Sequence, residues 1–139
     1  MSTVLCGVPQ GIILGPVLFL LYCADVTKIA DCHGVTAHLY ADDTQLYVHC
    51  KAVQCAAEAK RLTACIVELN NWMVSNRLKL NVDKTQFIWI GSRQQLGNVS
   101  MVEIPLMDCS IKTAHRVTCL GVVIDSELTF STHVKRVAA

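Results

Sequence analysis

Apolar and polar residues alternate in two short runs in the first third of the chain. Val35, Ala37 and Leu39 alternate with Thr36, His38 and Tyr40, and Leu46 and Val48 alternate with Gln45, Tyr47 and His49. A period of two belongs to half-buried strands, so the runs Val35 to Tyr40 and Thr44 to His49 are predicted to turn back on each other. Ahead of them, Val17, Leu18, Leu20, Leu21 and Tyr22 are apolar nearly all round a helix predicted from Gly15-Pro16 to about Ile29. Pro16 suits its start, where the missing N–H is harmless, and an all-round apolar surface implies burial on more than one side. Behind them, a helix is predicted over about Val53 to Asn76. Its stripe of Leu62, Cys65, Ile66, Leu69, Trp72 and Met73 marks one face laid on a sheet.

The remaining elements are shorter. Gly7 to Gly11 reads as an irregular loop, and the Lys79 to Lys84 stretch leads from the second helix into a predicted strand, Thr85 to Ile90. Ser92 to Ser100 is polar and reads as a surface loop. Further short strands are predicted at Met101 to Ile104, Ser110 to Lys112 and Arg116 to Asp125, with a helix beginning near Ser131. No repeat, low-complexity segment or long linker divides these elements. Together they predict a single α+β unit.

Composition narrows the partners. The 139 residues suffice for one core, and they are 53% hydrophobic and only 17% charged, against about 25% charged in typical soluble domains. Some apolar surface therefore expects a protein partner. A net charge of +1 makes no general field for nucleic acid, which leaves local clusters such as Arg77, Lys79 and Lys84 to carry any such binding. The run Ile12 to Ala24 is too short for a membrane span and contains Pro16. As a secretory signal it lacks a basic start, although Tyr22-Cys23-Ala24 offers small residues for cleavage. Asn98-Val99-Ser100 has the form of a glycosylation sequon and is taken as unmodified. The eight cysteines contain no Cys-x-x-Cys pair, which argues against a zinc ribbon and for a reducing compartment. Cys32-His33 and His49-Cys50 likewise lack zinc-type spacing.

Chemistry concentrates at Tyr40-Ala41-Asp42-Asp43. Two adjacent carboxylates at a bend resist joint ionisation unless a hard cation such as Mg²⁺ lies between them and a substrate, a pattern that points to phosphoryl transfer. The plainer reading is a solvated Asp-Asp turn, since Asp favours turns. Other motifs surround the pair in order: Gly7-Val8-Pro9-Gln10-Gly11-Ile12 through Phe19 upstream, then Leu78-Lys79-Leu80-Asn81-Val82-Asp83-Lys84-Thr85, then Leu120-Gly121-Val122-Val123-Ile124-Asp125.

This ordered set, with its YADD sequence, resembles the second to fifth palm motifs of reverse transcriptases from non-LTR, LINE-type retrotransposons, over nearly the whole chain. The resemblance implies a partial polymerase palm: an antiparallel sheet with a metal-site hairpin, packed by two helices. It also implies an RNA-directed DNA polymerase, a nucleotidyltransferase using two Mg²⁺ (or Mn²⁺) ions, with RNA template, DNA primer and dNTP as partners, inside the cell in nucleus or cytoplasm. Asp42 would be the principal metal ligand and Asp43 the auxiliary one. Lys84 would neutralise or protonate departing pyrophosphate. Gln10, Gly11, Tyr40 and Gly121 would touch template, nucleotide or primer. Ile12 stands where the family usually has serine, which removes a polar contact. The family's first motif, which carries another metal-bridging aspartate, is expected ahead of Gly7. Asp25 and Asp31 come in the wrong order to replace it, so the expectation is a fragment inactive by itself. Two other readings stay open: a non-enzymatic remnant that binds nucleic acid or protein, and a small secreted cysteine-rich protein.

Overall fold

A computed structural model describes residues 13–99, 103–107 and 109–138, and its fold divides into two units between Val48 and His49. In the first unit, α1 (Gly15–Tyr22) carries Pro16 in its first turn and α2 (Ala24–Cys32) follows after Cys23. The single helix expected to Ile29 is thus two, broken where Cys23 leaves helical geometry at ψ 5°. Cys23 is buried at this break, with Val26 and Ala30 from α2 and Val35 just after it. Val26 and Ala30 are one helical turn apart, so one face of α2 turns inward. A tight turn then returns the chain: the Val35 amide donates to the Ala30 carbonyl at 2.9 Å, which feeds the chain into β1 (Thr36–Tyr40) beside α2. No residue of α1 is buried. The burial expected of its apolar surface is therefore not found among the described residues.

β1 pairs antiparallel with β2 (Asp43–Tyr47), and the register runs from Thr36 opposite Tyr47 to Tyr40 opposite Asp43. Ala37 and Leu39 are half-buried while Thr36, His38 and Tyr40 are exposed, as the alternation predicts.

The second unit is built on α3 (Cys55–Ser75), entered through a 3₁₀ turn at Ala52–Gln54. Its buried stripe of Cys55, Ala59, Leu62, Cys65, Ile66 and Leu69 repeats every three or four residues, the spacing that keeps one helix face turned to a neighbour. That neighbour is β3 (Glu103–Leu106), whose alternate residues Ile104 and Leu106 are buried. At about 25 cal/mol per Å² of apolar surface, each fully buried side chain of this size contributes about 1.5–3 kcal/mol. β3 pairs with β4 (Cys109–Lys112), and β5 (Arg116–Cys119) with β6 (Val122–Asp125), both antiparallel. The chain closes with α5 (Ser131–Val137) against β6.

Several expectations change here. The described strands form three separate two-stranded ribbons where one antiparallel sheet was expected. Thr85 to Ile90 is not a ladder strand; it makes one isolated parallel bridge, Phe87 to Thr113, and its Phe87 and Trp89 rings meet edge-to-face with centroids 5.0 Å apart. Alternating residues that stack on each other fit the extended backbone without a ladder partner. Arg116 to Asp125 is not one strand but a hairpin folded at Leu120-Gly121. Within Ser92 to Ser100, residues Arg93–Leu96 form a short helix, α4. No cysteine among the described residues is in a disulfide. No helix among the described residues is long and apolar enough to cross a membrane.

Candidate functional site

The acidic hairpin is assembled by its register. Tyr40 and Asp43 close the β1–β2 ladder, so Ala41 and Asp42 form a two-residue loop. Such loops match the right-handed twist of strands when the first loop residue has positive φ, and Ala41 has φ 50°. Ala41 absorbs the left-handed conformation, and Asp42 follows it in the loop. Directly opposed residues share a face. Tyr40 and Asp43, His38 and Gln45, and Thr36 and Tyr47 therefore line one side of the ribbon, and Ala37, Leu39, Thr44 and Leu46 the other. Tyr40, Asp42 and Asp43 are all exposed.

The face that carries Asp43 also holds a polar pair that the sequence pattern did not single out. Tyr47 Oη and His38 Nε2 are hydrogen-bonded at 2.8 Å, and their rings meet edge-to-face with centroids 5.0 Å apart. His38 and Tyr47 are diagonal neighbours in the register, within reach of each other's long side chains. The alternation predicted a shared face but not this bond, which depends on side-chain rotamers.

The other predicted residues stand elsewhere. Lys84 ends a 3₁₀ turn at Val82–Lys84. Asn81 ties that turn down, for its carbonyl and side-chain oxygens both accept from the Lys84 amide, at 3.2 and 3.3 Å, and its carbonyl accepts from Thr85 Oγ1 at 2.9 Å. The Lys84 residue itself is exposed. Asp25 pairs with Lys28 one turn along α2, at 2.8 Å, and this bond raises the pKa of the ammonium. Gly121 has φ 82° beside Leu120 at φ 47°, both positive as in a type I′ turn. Gly121 was expected to let nucleic acid approach a strand, but it lies in a hairpin turn, and an added Cβ would meet no atom within 4 Å. Gln10 and Gly11 lie outside the described residues.

Two further groups acquire roles only from the fold. The Asp125 carboxylate accepts from the amides of Glu127, Thr129 and Phe130, at 3.2, 2.9 and 2.8 Å, and from Thr129 Oγ1 at 3.0 Å. The Thr129 amide bond and the other donors hold its pKa below the ordinary value of 3.8. His133 Nδ1 accepts from the Val123 amide at 3.3 Å, which ties α5 to β6 and places the ring proton on Nε2. No group of three or more His, Cys, Asp or Glu side chains able to hold a metal occurs among the described residues.

The family described as reverse transcriptase (RNA-dependent DNA polymerase) matches residues 2–124, a span that contains the acidic hairpin, the Lys84 turn and the Gly121 turn. The chain belongs to the reverse transcriptase family. Among its relatives, the "RNA-directed DNA polymerase from mobile element jockey" of Drosophila melanogaster is 27% identical over 137 residues, covering 94% of this chain and 14% of that protein. The "Probable RNA-directed DNA polymerase from transposon BS" of the same species is 32% identical, covering 93% of this chain and 14% of that protein. No solved structure matches the chain. These relatives of mobile elements agree with the non-LTR, LINE-type motif series, and this reverse transcriptase chain spans 14% of the length of the curated relatives it matches.

Proposed function

We propose that this chain carries part of the metal-binding and leaving-group chemistry of an RNA-directed DNA polymerase, acting on RNA template, DNA primer and dNTP inside the cell. The observation that carries the reading is the hairpin tip, with Asp42 in the loop and Asp43 at the first ladder position, both exposed within a reverse transcriptase match. Hard carboxylate oxygens suit Mg²⁺, which is commonly held by one or two carboxylates and completes its shell with water and substrate phosphate. The two acids fit that donor set. When bound, such ions stabilise the attacking and leaving oxygens of an in-line phosphoryl displacement.

In this reading Asp42 is the principal ligand and Asp43 the auxiliary one. Tyr40, opposite Asp43, sets the backbone of the turn with Ala41 and contacts the substrate. Lys84 presents a compact ammonium that neutralises or protonates pyrophosphate, and Gln10 and Gly11 contact template or nucleotide. Because no third metal-binding side chain stands with Asp42 and Asp43 among the described residues, this chain alone is expected to bind Mg²⁺ or Mn²⁺ weakly and to extend no primer. Mn²⁺ added to the isotopically labelled chain is expected to broaden the amide resonances of residues 40–44, and the double variant Asp42→Asn, Asp43→Asn to abolish that broadening. Equal broadening in the double variant removes the proposed site.

A further inference from the structure

Two thiols meet at the entrance to α3. Cys50 follows β2 and Cys55 is the first residue of the helix, and their sulfurs lie 3.6 Å apart. The 3₁₀ turn between them fixes this approach. The Gln54 amide donates to the Lys51 carbonyl at 2.8 Å, while the Lys51 amide donates to Gln54 Oε1 at 3.4 Å. The Cys55 thiol also faces the Lys51 carbonyl, at 3.8 Å. Cys55 is buried and Cys50 half-buried, so Cys50 is the more accessible residue of the pair. A disulfide has its sulfurs about 2.04 Å apart, so closure needs an approach of about 1.6 Å, the scale of a side-chain rotation. Cys65 is the contrast, for it is fully buried within the α3 stripe.

We propose that Cys50 and Cys55 are a reversible modification site, a dithiol that a hydroperoxide closes to an intramolecular disulfide. The Cys50 thiolate attacks one peroxide oxygen; with hydrogen peroxide the O–O bond breaks and the other oxygen leaves as hydroxide, which becomes water, and Cys50 becomes a sulfenic acid. Cys55 then attacks the Cys50 sulfur, the S–S bond forms, and the displaced hydroxide takes the Cys55 proton as a second water. Two thiols lose two electrons and two protons, and one peroxide becomes two waters. Burial, the Cys55 hydrogen bond and the nearby Glu58 carboxylate push the Cys50 thiol up to about 11, against the opposing pull of Arg61. Since the thiolate is the nucleophile, closure is slow near neutral pH and quickens about tenfold per pH unit below that value.

The test treats the whole chain with hydrogen peroxide, blocks remaining thiols with N-ethylmaleimide, and maps tryptic peptides without reduction. Cleavage after Lys51 puts Cys50 in the peptide Ile29–Lys51, together with Cys32, and Cys55 in Ala52–Lys60. The expected product joins these two peptides, persists in Cys32→Ser, disappears in Cys50→Ser and is undone by dithiothreitol. Its formation at pH 9 is about a hundredfold faster than at pH 7. Links scattered among the cysteines, a Cys32–Cys55 link, or sulfinic acid at Cys50 with an unmodified Cys55 overturns the proposal. Phenylarsine oxide supplies a measurement independent of disulfide geometry, because it bridges two neighbouring thiols with loss of one water. It is expected to shield Cys50 and Cys55 together from alkylation, and failure to shield them counts equally against the site.

Discussion

Asp125 shows how much a single carboxylate can organise. Its two oxygens gather three amides and a hydroxyl from residues 127–130, which closes the chain between β6 and α5. These donors favour the ionised form and depress its pKa. A depressed folded-state pKa means that the contribution to stability is present above the unfolded pKa and is lost as pH falls through the folded value. Acid unfolding is therefore expected to steepen below about pH 3.8. Asp125→Asn is expected to flatten that limb in a series of thermal melts from pH 5 to about pH 2. Asp42, Asp43 and Lys84 were legible as candidates from residue type and order, because a carboxylate or an ammonium carries its chemistry in its identity. The bonds of Asp125, of His133 to Val123, and of His38 to Tyr47 were not, because each depends on where a loop or rotamer brings its partner.

At the scale of elements, the three ribbons share one device. In each, the residue that follows the first strand, Ala41, Met107 or Leu120, has positive φ between 47° and 53°. A non-glycine residue in that region costs about 1–2 kcal/mol. Leu120 is half-exposed and loses little by truncation, so Leu120→Asn, which creates the Asn-Gly pair favoured in type I′ turns, is expected to raise stability by about 0.5–1 kcal/mol. Gly121→Ala meets no clash and is expected to cost about 1–2 kcal/mol through backbone conformation alone. Urea midpoints at unchanged m-value check both. The α4 helix had a legible signal, Ser92 followed three residues later by Gln95. The Ser92 amide donates to Gln95 Oε1 at 2.9 Å and Ser92 Oγ accepts from the Gln95 amide at 3.3 Å, a capping box. Polar composition had outweighed that spacing. The break at Cys23 carried no such signal, since neither glycine nor an internal proline marks it.

Across the molecule, each unit holds its own buried cluster: Cys23, Val26, Ala30 and Val35 in the first, and the α3 stripe with Ile104 and Leu106 in the second. Leu106 is fully buried beneath α3, so Leu106→Ala is expected to destabilise the second unit by about 2–5 kcal/mol. Hydrogen exchange of the α3 amides is the direct check, with protection falling along the whole helix. The sequence by itself determined the α+β character, the long α3 helix with its inward stripe, the β1–β2 alternation and the acidic pair at a reversal of chain direction. Those follow from local periodicity and residue chemistry, which act over a few residues. Tertiary structure decided that the described strands pair as three ribbons, that Thr85 to Ile90 makes a single bridge, that Gly121 turns a hairpin, and that Cys50 meets Cys55. Each of these depends on which distant or flanking backbone supplies a hydrogen-bond partner, and hydrophobic spacing along a chain does not encode that choice.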